Sequence, residues 1–471
     1  MAKALRAVIL AAGKGKRMKS TRPKVLHDVL GEAILSRVIG AVNAVGAQKV
    51  HIVVGHESPQ VEEHLHARHS GEQWQTHLQE PQLGTGHALM QVVDDLKDFS
   101  GDLLVTVGDA PLLSPSTLTR LSERHEKDKA VVTVLSADVP DAKNYGRVIR
   151  DQAGSVLGIV EDKDASDEQR RVKEINTAIY CFKWPDIKPG LASLKNDNKQ
   201  GEYYLPDLVA WAVQNGLPIS ACKAADYREV AGINSRLELA EAIHSLRDLT
   251  IERLALENGV TVIDPQSTWI APEVVIGQDT TVLPGCHIMG PVKIGSNCII
   301  GPNAIIKGAV SIGDHCTVVL SMVVDSSIES QCRVGPFAHI REGNIVRAGA
   351  RIGNFVELKK STVGKHSNVS HLSYVGDTTI GDNANIGAGT ITANYDHITK
   401  KKEQTVIGDG ASTGSNSVLV APVTIGKEAV VGAGSVITKD VPEGALAVGR
   451  ARQENKDGWA ENRKRRNGKV K

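Results

Sequence analysis

A glycine-rich stretch near the amino terminus places basic side chains where they can hold phosphate. Residues 10–18 read LAAGKGKRM after an apolar run, and Lys24 follows six residues later. Backbone N–H groups at glycines can surround a phosphate, and Arg17 and Lys24 can neutralise its charge. The spacing fits neither the P-loop nor the dinucleotide-binding pattern. The stretch therefore indicates either a phosphate-binding loop of another class or only a tight turn.

Oxygen-bearing side chains that could bind a metal and a base follow further along the chain. Asp109 comes two residues after the apolar run 103–107 and offers a carboxylate to Mg²⁺, although a loop Asp can also cap a turn. Asn234 could supply an amide oxygen to the same ion. Gln79 and Gln82 precede Gly84, and their amides are suited to reading the edge of a uracil ring. These residues predict a nucleotide site with a divalent cation.

His371, three residues before Tyr374, is a candidate general base in the second half of the chain. An imidazole titrates near neutral pH and can take the proton of an attacking amine. A single His is more often a structural residue, so this interpretation depends on its surroundings. A charged stretch, 393–402, lies nearby, and it is either a harmless insertion or a binding loop.

Two different architectures must position these residues, and the second is marked by a six-residue repeat. Neither the helical period of 3.6 nor the strand period of 2 explains a period of six. A hexapeptide repeat is typical of a parallel β-helix, with three short strands per coil and coils ~4.8 Å apart. The repeat breaks after Ile386 and returns at Ile407, so residues 393–402 must loop out. Its first stretch runs Ile276, Val282, Ile288, Ile294, Ile300, Ile306, Ile312, Val318 and Val324.

Four cysteines each lie four residues after a position of this repeat: Cys286, Cys298, Cys316 and Cys332. The same slot elsewhere holds small or β-branched residues, so we interpret these thiols as core residues. Cys298 and Cys316, one coil apart, could approach closely enough to form a disulfide. The four share no spacing typical of a metal site.

The residues before 235 show a different pattern, which predicts the other of the two architectures. Apolar runs at 7–10, 50–54 and 103–107 alternate with amphipathic stretches around 34–45 and 118–125. This pattern predicts an α/β, Rossmann-like sheet of buried parallel strands covered on both faces, with ligands beyond the carboxyl ends of the strands. A single helix over 235–258, with a capping box at Ser235 and Glu238, is expected to join the two architectures.

Composition excludes several classes of protein. The 471 residues carry a formal net charge of +1, so no global field favours nucleic acid. No amino-terminal signal segment and no apolar run long enough to cross a bilayer is found. Six cysteines without such a signal favour a reducing cytoplasm. We interpret a basic tail as a solvated terminus: Arg463, Lys464, Arg465, Arg466, Lys469 and Lys471.

The loop with Arg17, Pro23 and Lys24 resembles the signature loop of the sugar-nucleotide pyrophosphorylases. Over its whole length the chain is similar to the bacterial family of bifunctional N-acetylglucosamine-1-phosphate uridyltransferases/glucosamine-1-phosphate N-acetyltransferases. This family supplies UDP-N-acetylglucosamine for cell-wall synthesis. We accordingly expect a uridyltransferase domain at 1–234, a linker helix at 235–259, a left-handed β-helix acetyltransferase domain at 260–450 and a basic tail at 451–471.

For uridyl transfer, the resemblance implies catalytic phosphate contacts from Arg17 and Lys24, and Mg²⁺ held by Asp109 and Asn234. The sugar phosphate would contact Gly146, Glu161, Asn176 and Asn234. UTP would contact Leu10, Ala11, Ala12, Gly13, Lys24, Gln79, Gln82, Gly84 and Thr85.

For acetyl transfer, the resemblance implies that His371 is the base and that Glu357 is a candidate to orient it. The protein would be a homotrimer sharing its sites between neighbouring β-helices. Glucosamine 1-phosphate would contact Arg341, Lys359, Tyr374 and Asn385. Acetyl-CoA would contact Ala388, Asn394, Tyr395, Ser415, Ala433 and Arg450, and Lys400 would bind substrate as well.

Two alternatives remain open on the sequence. The β-helix could serve only for oligomerisation in a monofunctional sugar-1-phosphate nucleotidyltransferase, or the chain could bind sugar nucleotides without turnover. His371, Tyr374 and Asn385 together with the 393–402 loop argue against the first, because a structural solenoid does not need them. Lys24, Asp109 and Asn234 argue against the second.

Overall fold

The computed structural model describes residues 4–55 and 57–466, and the chain divides into two compact units between Arg247 and Asp248. The helices of the described residues are α1 Ile34–Ala44, α2 Ser58–Arg68, α3 Thr85–Met90, α4 Pro115–Lys127, α5 Trp184–Leu191, α6 Asp207–Gln214, α7 Arg236–Asn258 and α8 Trp459–Arg466. Short 3₁₀ helices lie at Lys16–Met18, Lys24–Leu26, Gln169–Arg171 and Tyr227–Val230. The strands of the first unit are β1 Leu5–Leu10, β2 Asp28–Val29, β3 Glu32–Ala33, β4 Val50–Val54, β5 Trp74–Leu78, β6 Asp102–Val107, β7 Val132–Asp138, β8 Arg147–Arg150, β9 Val156–Val160, β10 Glu174–Lys183 and β11 Ile219–Lys223.

The first unit is built on a sheet whose order is β11-β7-β10-β6-β1-β4-β5. The three strands predicted from apolar runs are present as β1, β4 and β6, and they pair in parallel. Strand β10 runs antiparallel to both of its neighbours, so the sheet is mixed and contains a strand that the three predicted runs did not include. Its run Glu174–Lys183 is as buried as its neighbours, and composition therefore gives no sign of its direction. Strands β8 and β9 form a hairpin that pairs with β10 through Arg147.

Helix α7 spans 23 residues, about 34 Å at 1.5 Å per residue. Ser235 caps it as predicted, because its Oγ accepts a hydrogen bond from the N–H of Glu238 at 3.2 Å. The return bond differs from a capping box by one position: the Glu238 carboxylate accepts from the N–H of Asn234 at 2.6 Å. The start of the helix therefore fixes the backbone at Asn234, a residue of the candidate site.

The second unit is a parallel β-helix with three faces. The first face holds Thr261–Val262, Thr281–Val282, Ile299–Ile300, Thr317–Val318, Arg333–Val334, Arg351–Asn354, Asn368–His371, Asn385–Ile386, Ser412–Thr413, Val430–Val431 and Leu446–Ala447. The second face holds Trp269–Ile270, His287–Met289, Ile305–Lys307, Met322–Val324, His339–Ile340, Glu357–Lys359, Tyr374–Gly376, Ile391–Ala393, Val418–Val420 and Val436–Ile437. The third face holds Val275–Ile276, Val292–Ile294, Val310–Ile312, Ser327–Ile328, Ile345–Val346, Thr362–Val363, Thr378–Ile380, Thr405–Ile407 and Val423–Ile425.

The six-residue repeat predicts the buried column of each face, with two corrections. Val323 rather than Val324 stacks on Ile306 and is fully buried, because the turn before it is one residue shorter. The repeat does not stop at Ile386, since the buried Thr392 continues it with a polar side chain. Its hydroxyl accepts a hydrogen bond from the N–H of Gly376 at 2.8 Å, which compensates for burying it.

The four cysteines of the β-helix are confirmed as core residues, because all of them are buried free thiols. The basic tail is only partly described: α8 is fully exposed and carries Arg463, Lys464, Arg465 and Arg466. Lys469 and Lys471 lie outside the described residues. Within those residues, none of the helices combines the length and the apolar character needed to span a bilayer.

Candidate active sites

The glycine-rich loop follows β1 and is folded against Lys24. Gly15 adopts φ +55°, and a Cβ there would lie 2.8 Å from the Cβ of Lys24. Any larger residue would force the two segments apart, so this glycine permits the close approach. Gly13 lies at an open position, with nothing within 4 Å of the place where its Cβ would be. The backbone at residue 13 is thus free to approach a ligand.

Lys24, Asp109 and Asn234 converge at one point although they are far apart in the sequence. The Lys24 ammonium forms an ion pair with the Asp109 carboxylate and donates to the Asn234 Oδ1 at 3.1 Å. The N–H of Ile233 donates to the Asp109 carbonyl at 3.0 Å, which holds the two segments together. Only 9% of the Lys24 side chain and 20% of the Asp109 side chain are exposed. The oxygens of Asp109 and Asn234 thus already surround the positive charge of Lys24. Such hard oxygen atoms are the donors that Mg²⁺ prefers.

The two predicted uracil-reading glutamines have different roles within the protein. Gln79 is buried, and its amide donates to the Gly84 carbonyl at 2.9 Å. Gln82 donates to the Ala12 carbonyl and so joins its loop to the glycine-rich loop. Gly84 has φ +99°, and a Cβ there would lie 2.7 Å from the Tyr203 carbonyl oxygen. These contacts bring the two predicted nucleotide-binding loops side by side.

Gly146 precedes β8, Glu161 follows β9 and Asn176 is the third residue of β10, and we call these three residues the β8–β10 row. The N–H of Asn176 donates to the Gly146 carbonyl at 2.8 Å. A Cβ on Gly146 would lie 2.9 Å from the Glu161 Oε1. Burial, followed by the nearby carboxylates of Asp207 and Asp164, raises the pKa of Glu161 above its ordinary value.

A cleft of about 920 Å³ connects Asp109 and Asn234 with the β8–β10 row, whereas Lys24, Gln79 and Gln82 are not among its lining residues. Its volume fits a small-molecule site. Sequence reasoning missed Tyr145, which lies beside Gly146 and carries a phenol whose pKa is raised by burial. The predicted residues that line the cleft are Arg17, Thr85, Asp109, Gly146, Glu161, Asn176 and Asn234.

In the second unit, His371 lies at the corner where the first face turns into the second. Gly389 donates to the His371 carbonyl at 3.2 Å, Asn416 to that of Ala388 at 2.7 Å, and Gly434 to that of Ser415 at 2.8 Å. These backbone bonds place His371, Ala388, Ser415 and Ala433 at equivalent corners of four successive coils. A Cβ on Gly434 would lie 3.7 Å from the Cδ of Arg450, so Arg450 extends the same column.

The imidazole of His371 is oriented by Asn354, not by Glu357. The Nδ1 of His371 lies 2.6 Å from the Oδ1 of Asn354, one coil below. Because an amide oxygen can only accept, this contact places the proton on Nδ1 and leaves Nε2 as the basic atom. Glu357 stacks below Tyr374 on the second face and accepts from Arg341 at 2.9 Å. The expected contact between Glu357 and His371 is therefore replaced by one with Asn354, and the Glu357 carboxylate accepts from Arg341 instead.

The remaining predicted residues lie on either side of the His371 corner. Arg341 and Lys359 follow or end strands of the second face, and Lys359 pairs with Glu342 at 3.1 Å. Tyr374 begins the next strand of that face. Asn385 begins the next strand of the first face and is exposed. Asn354 stacks below His371 although it lies one residue closer in the sequence than a coil of three hexapeptides, which points to Gly353, so periodicity alone does not find it.

The stretch 393–402 does loop out of the β-helix. The coil from Ile380 to Ile407 is nine residues longer than an eighteen-residue coil. Asn394 anchors the base of the loop through a hydrogen bond to Asp377 at 2.5 Å. Tyr395 pairs with Lys402 across the loop and is 56% exposed. Lys400 lies at the exposed turn of the loop with φ +56°.

Comparison with known proteins identifies the family to which the chain belongs. The "Bifunctional protein GlmU" of an Exiguobacterium strain is 47% identical over 453 residues, covering 96% of this chain and 98% of that protein. The proteins of that name from Fervidobacterium nodosum and Brevibacillus brevis are 48% and 46% identical, with at least 98% of each chain covered. The chain belongs to the family of bifunctional GlmU proteins.

Two profile matches agree with the two units of this GlmU family member. A MobA-like NTP transferase domain matches residues 7–169, which include the glycine-rich loop, Asp109, Gly146 and Glu161. The bacterial transferase hexapeptide repeat matches residues 273–308 and 404–439. The predicted fold class is thereby confirmed: an α/β nucleotidyltransferase domain followed by a left-handed parallel β-helix.

Proposed function

We propose that the protein makes UDP-N-acetylglucosamine in two steps. It acetylates glucosamine 1-phosphate with acetyl-CoA, and it then transfers UMP from UTP to the product, releasing pyrophosphate. The observation that carries the first-unit assignment is the contact of Lys24 with Asp109 and Asn234, both of which line the cleft. The corner column with His371 carries the second, and it argues against a β-helix that only oligomerises.

In uridyl transfer, the phosphate of the sugar attacks the α-phosphorus of UTP and pyrophosphate leaves. The β8–β10 row holds the sugar, while Gln79, Gln82 and the Gly84–Thr85 turn hold the base. Arg17 and Lys24 neutralise charge on the phosphates as it shifts towards the leaving group. The protein contributes positioning and electrostatic stabilisation without a covalent intermediate.

Mg²⁺ would be held by Asp109 and Asn234. When bound, it supplies charge neutralisation at the phosphates and a fixed orientation for them. The Lys24 ammonium now pairs with these same two oxygens, so Lys24 is placed to turn from Asp109 to a phosphate when substrates enter.

In acetyl transfer, the amine of glucosamine 1-phosphate attacks the thioester of acetyl-CoA. His371 Nε2 takes the amine proton, since Asn354 holds the other nitrogen in its protonated form. Arg341 and Lys359 bind the sugar phosphate, with Tyr374 and Asn385 beside them. Acetyl-CoA lies along Ala388, Ser415, Ala433 and Arg450, with Asn394, Tyr395 and Lys400 of the loop closing over it.

We also propose the following organisation. Residues 1–234 carry uridyl transfer, 235–259 form the linker helix, 260–450 carry acetyl transfer, and 451–471 form a basic tail. The protein acts in the cytoplasm on small molecules alone, as a homotrimer with acetyl-transfer sites shared between β-helices.

A pair of single substitutions tests this assignment. Asp109→Ala should lower pyrophosphate release at least about 100-fold and leave thiol release from acetyl-CoA intact. His371→Ala should do the reverse, lowering thiol release by about 100-fold or more. The thermal unfolding midpoint of each variant, compared with that of the unsubstituted protein, serves as its folding control. If His371→Ala acetylates at the rate of the unsubstituted protein, the assignment of the base is wrong.

A further inference from the structure

A buried arginine lies directly behind the β8–β10 row. Arg147 is the first residue of β8, and only 3% of its side chain is exposed. Its backbone pairs with Val160 of β9 on one side and Ile175 of β10 on the other. Each of these three residues is the chain neighbour of one member of the row. Arg147 therefore occupies the point where the strands that present the row meet.

The guanidinium of Arg147 joins the two segments that flank the row. Its Nη2 lies 3.0 Å from the Asp162 Oδ1, and Asp162 directly follows Glu161. Its Nη1 donates to the carbonyl of Tyr145, which directly precedes Gly146. Its Nε is buried without a hydrogen-bond partner among the described residues. A single side chain thus ties the end of β9 to the start of β8.

We propose that Arg147 is a positioning residue for the sugar phosphate, holding Glu161 and Gly146 in the register that the sugar requires. This inference rests on the proposed uridyl transfer, and it adds a residue that does not itself contact the substrate. The planar guanidinium of an arginine can donate to a carboxylate and to a carbonyl at the same time and in a fixed geometry. The ammonium of a lysine acts as a point charge and does not fix that geometry. Removal of Asp162 would leave the arginine buried and unpaired, which is strongly unfavourable.

The charge of Arg147 also acts on Glu161. Burial raises the pKa of Glu161, the carboxylates of Asp207, Asp164 and Asp162 raise it further, and Arg147 opposes them. A neutral side chain at position 147 should therefore raise the pKa of Glu161 again. A lysine would keep the charge and lose the fork, so the two substitutions separate electrostatics from geometry.

The experiment measures the KM for N-acetylglucosamine 1-phosphate and for UTP in Arg147→Gln, Arg147→Lys and Asp162→Asn. All three should raise the KM of the sugar phosphate by about tenfold or more, with the KM of UTP changed less than about twofold. Arg147→Gln alone should move the acid limb of kcat/KM for the sugar phosphate to higher pH. Arg150→Gln is the matched control, because it removes an arginine of the same strand whose ion pair is with Glu174 and holds neither Gly146 nor Glu161.

The outcomes are separable. Pyrophosphate release at saturating substrate, which the first unit itself carries out, reports whether each variant is folded, and Arg147→Lys and Asp162→Asn decide the matter if Arg147→Gln is not. Equal rises in both KM values, or the same rise in Arg150→Gln, would overturn the positioning role. If the unsubstituted protein forms no UDP-sugar, the proposed function itself fails, whatever the variants do.

Discussion

At the residue scale, the partner of the His371 imidazole is an amide. Asn354 accepts a hydrogen bond at 2.6 Å, and it carries no charge. Such a partner fixes the tautomer and the ring orientation without an ion pair to stabilise the imidazolium. The proposed acetyl-transfer site would therefore depend on orientation of His371 more than on a buried carboxylate.

Asn354→Ala should lower kcat of acetyl transfer by about tenfold with little change in the KM of glucosamine 1-phosphate, because the base loses its orientation. Glu357→Gln is the matched comparison: it should raise that KM, since Arg341 loses its carboxylate partner. Steady-state kinetics of thiol release measure both. The opposite pattern, with kcat falling in Glu357→Gln alone, would return the orienting role to Glu357.

Glu161 is a second residue whose environment has a measurable consequence. Its pKa is raised above 4.5, chiefly by burial, so the folded protein binds this proton more tightly than the unfolded chain. As the pH rises from about 4.5 through the raised pKa, the free energy of unfolding therefore falls. At neutral pH the charged carboxylate of Glu161 destabilises the folded protein. Compared with the unsubstituted protein, Glu161→Gln should have a higher thermal midpoint at pH 7, and the difference should be smaller at pH 4. The same substitution should weaken binding of the sugar phosphate. Calorimetry of both proteins at the two pH values measures this difference. A midpoint of Glu161→Gln below that of the unsubstituted protein at pH 7 would contradict the prediction.

At the element scale, the β-helix shows which buried positions a six-residue period predicts and which positions it misses. Buried columns such as Ile276, Ile294 and Ile312 follow from the repeat, because each coil must fill the same interior. Val323 and Thr392 depart from it, since a shorter turn and a polar filler are invisible to a fixed period of six.

The first unit shows a related limit. Its strands follow from apolar runs, but the direction of β10 depends on chain reversals that composition does not encode. Sequence distance also hid the contacts of Lys24, because Asp109 and Asn234 meet it only through the folded sheet. The resemblance supplied candidate residues, while contacts such as Arg147–Asp162 came from the structure alone.

The 393–402 loop provides the clearest element-scale prediction. Deletion of residues 395–403 would restore an eighteen-residue coil from Ile380 onwards. Because the loop lies outside the buried columns, the thermal midpoint should change little. Thiol release should fall at least about tenfold, since the loop residues over the acetyl-CoA column are lost. Pyrophosphate release should be retained, and an intact acetylation rate would make the loop a harmless insertion.

At the scale of the whole molecule, the proposed function assigns one reaction to each of the two compact units, and both reactions contribute to one product. The cleft of the first unit and the corner column of the second draw on separate residues, so each should tolerate loss of the other. The proposed trimer predicts a mass in solution about three times the 50.3 kDa of the chain, measured by sedimentation equilibrium. A monomer that acetylates at full rate would exclude shared sites.

The most direct test of the whole account is one assay of the purified, unsubstituted protein. Acetyl-CoA and glucosamine 1-phosphate are added first, and thiol release is followed; UTP and Mg²⁺ are then added, and pyrophosphate is followed. The account predicts thiol release that depends on the amino sugar, followed by pyrophosphate release in the same tube. Pyrophosphate that forms only when N-acetylglucosamine 1-phosphate is supplied ready-made would contradict it and leave the β-helix without a catalytic role.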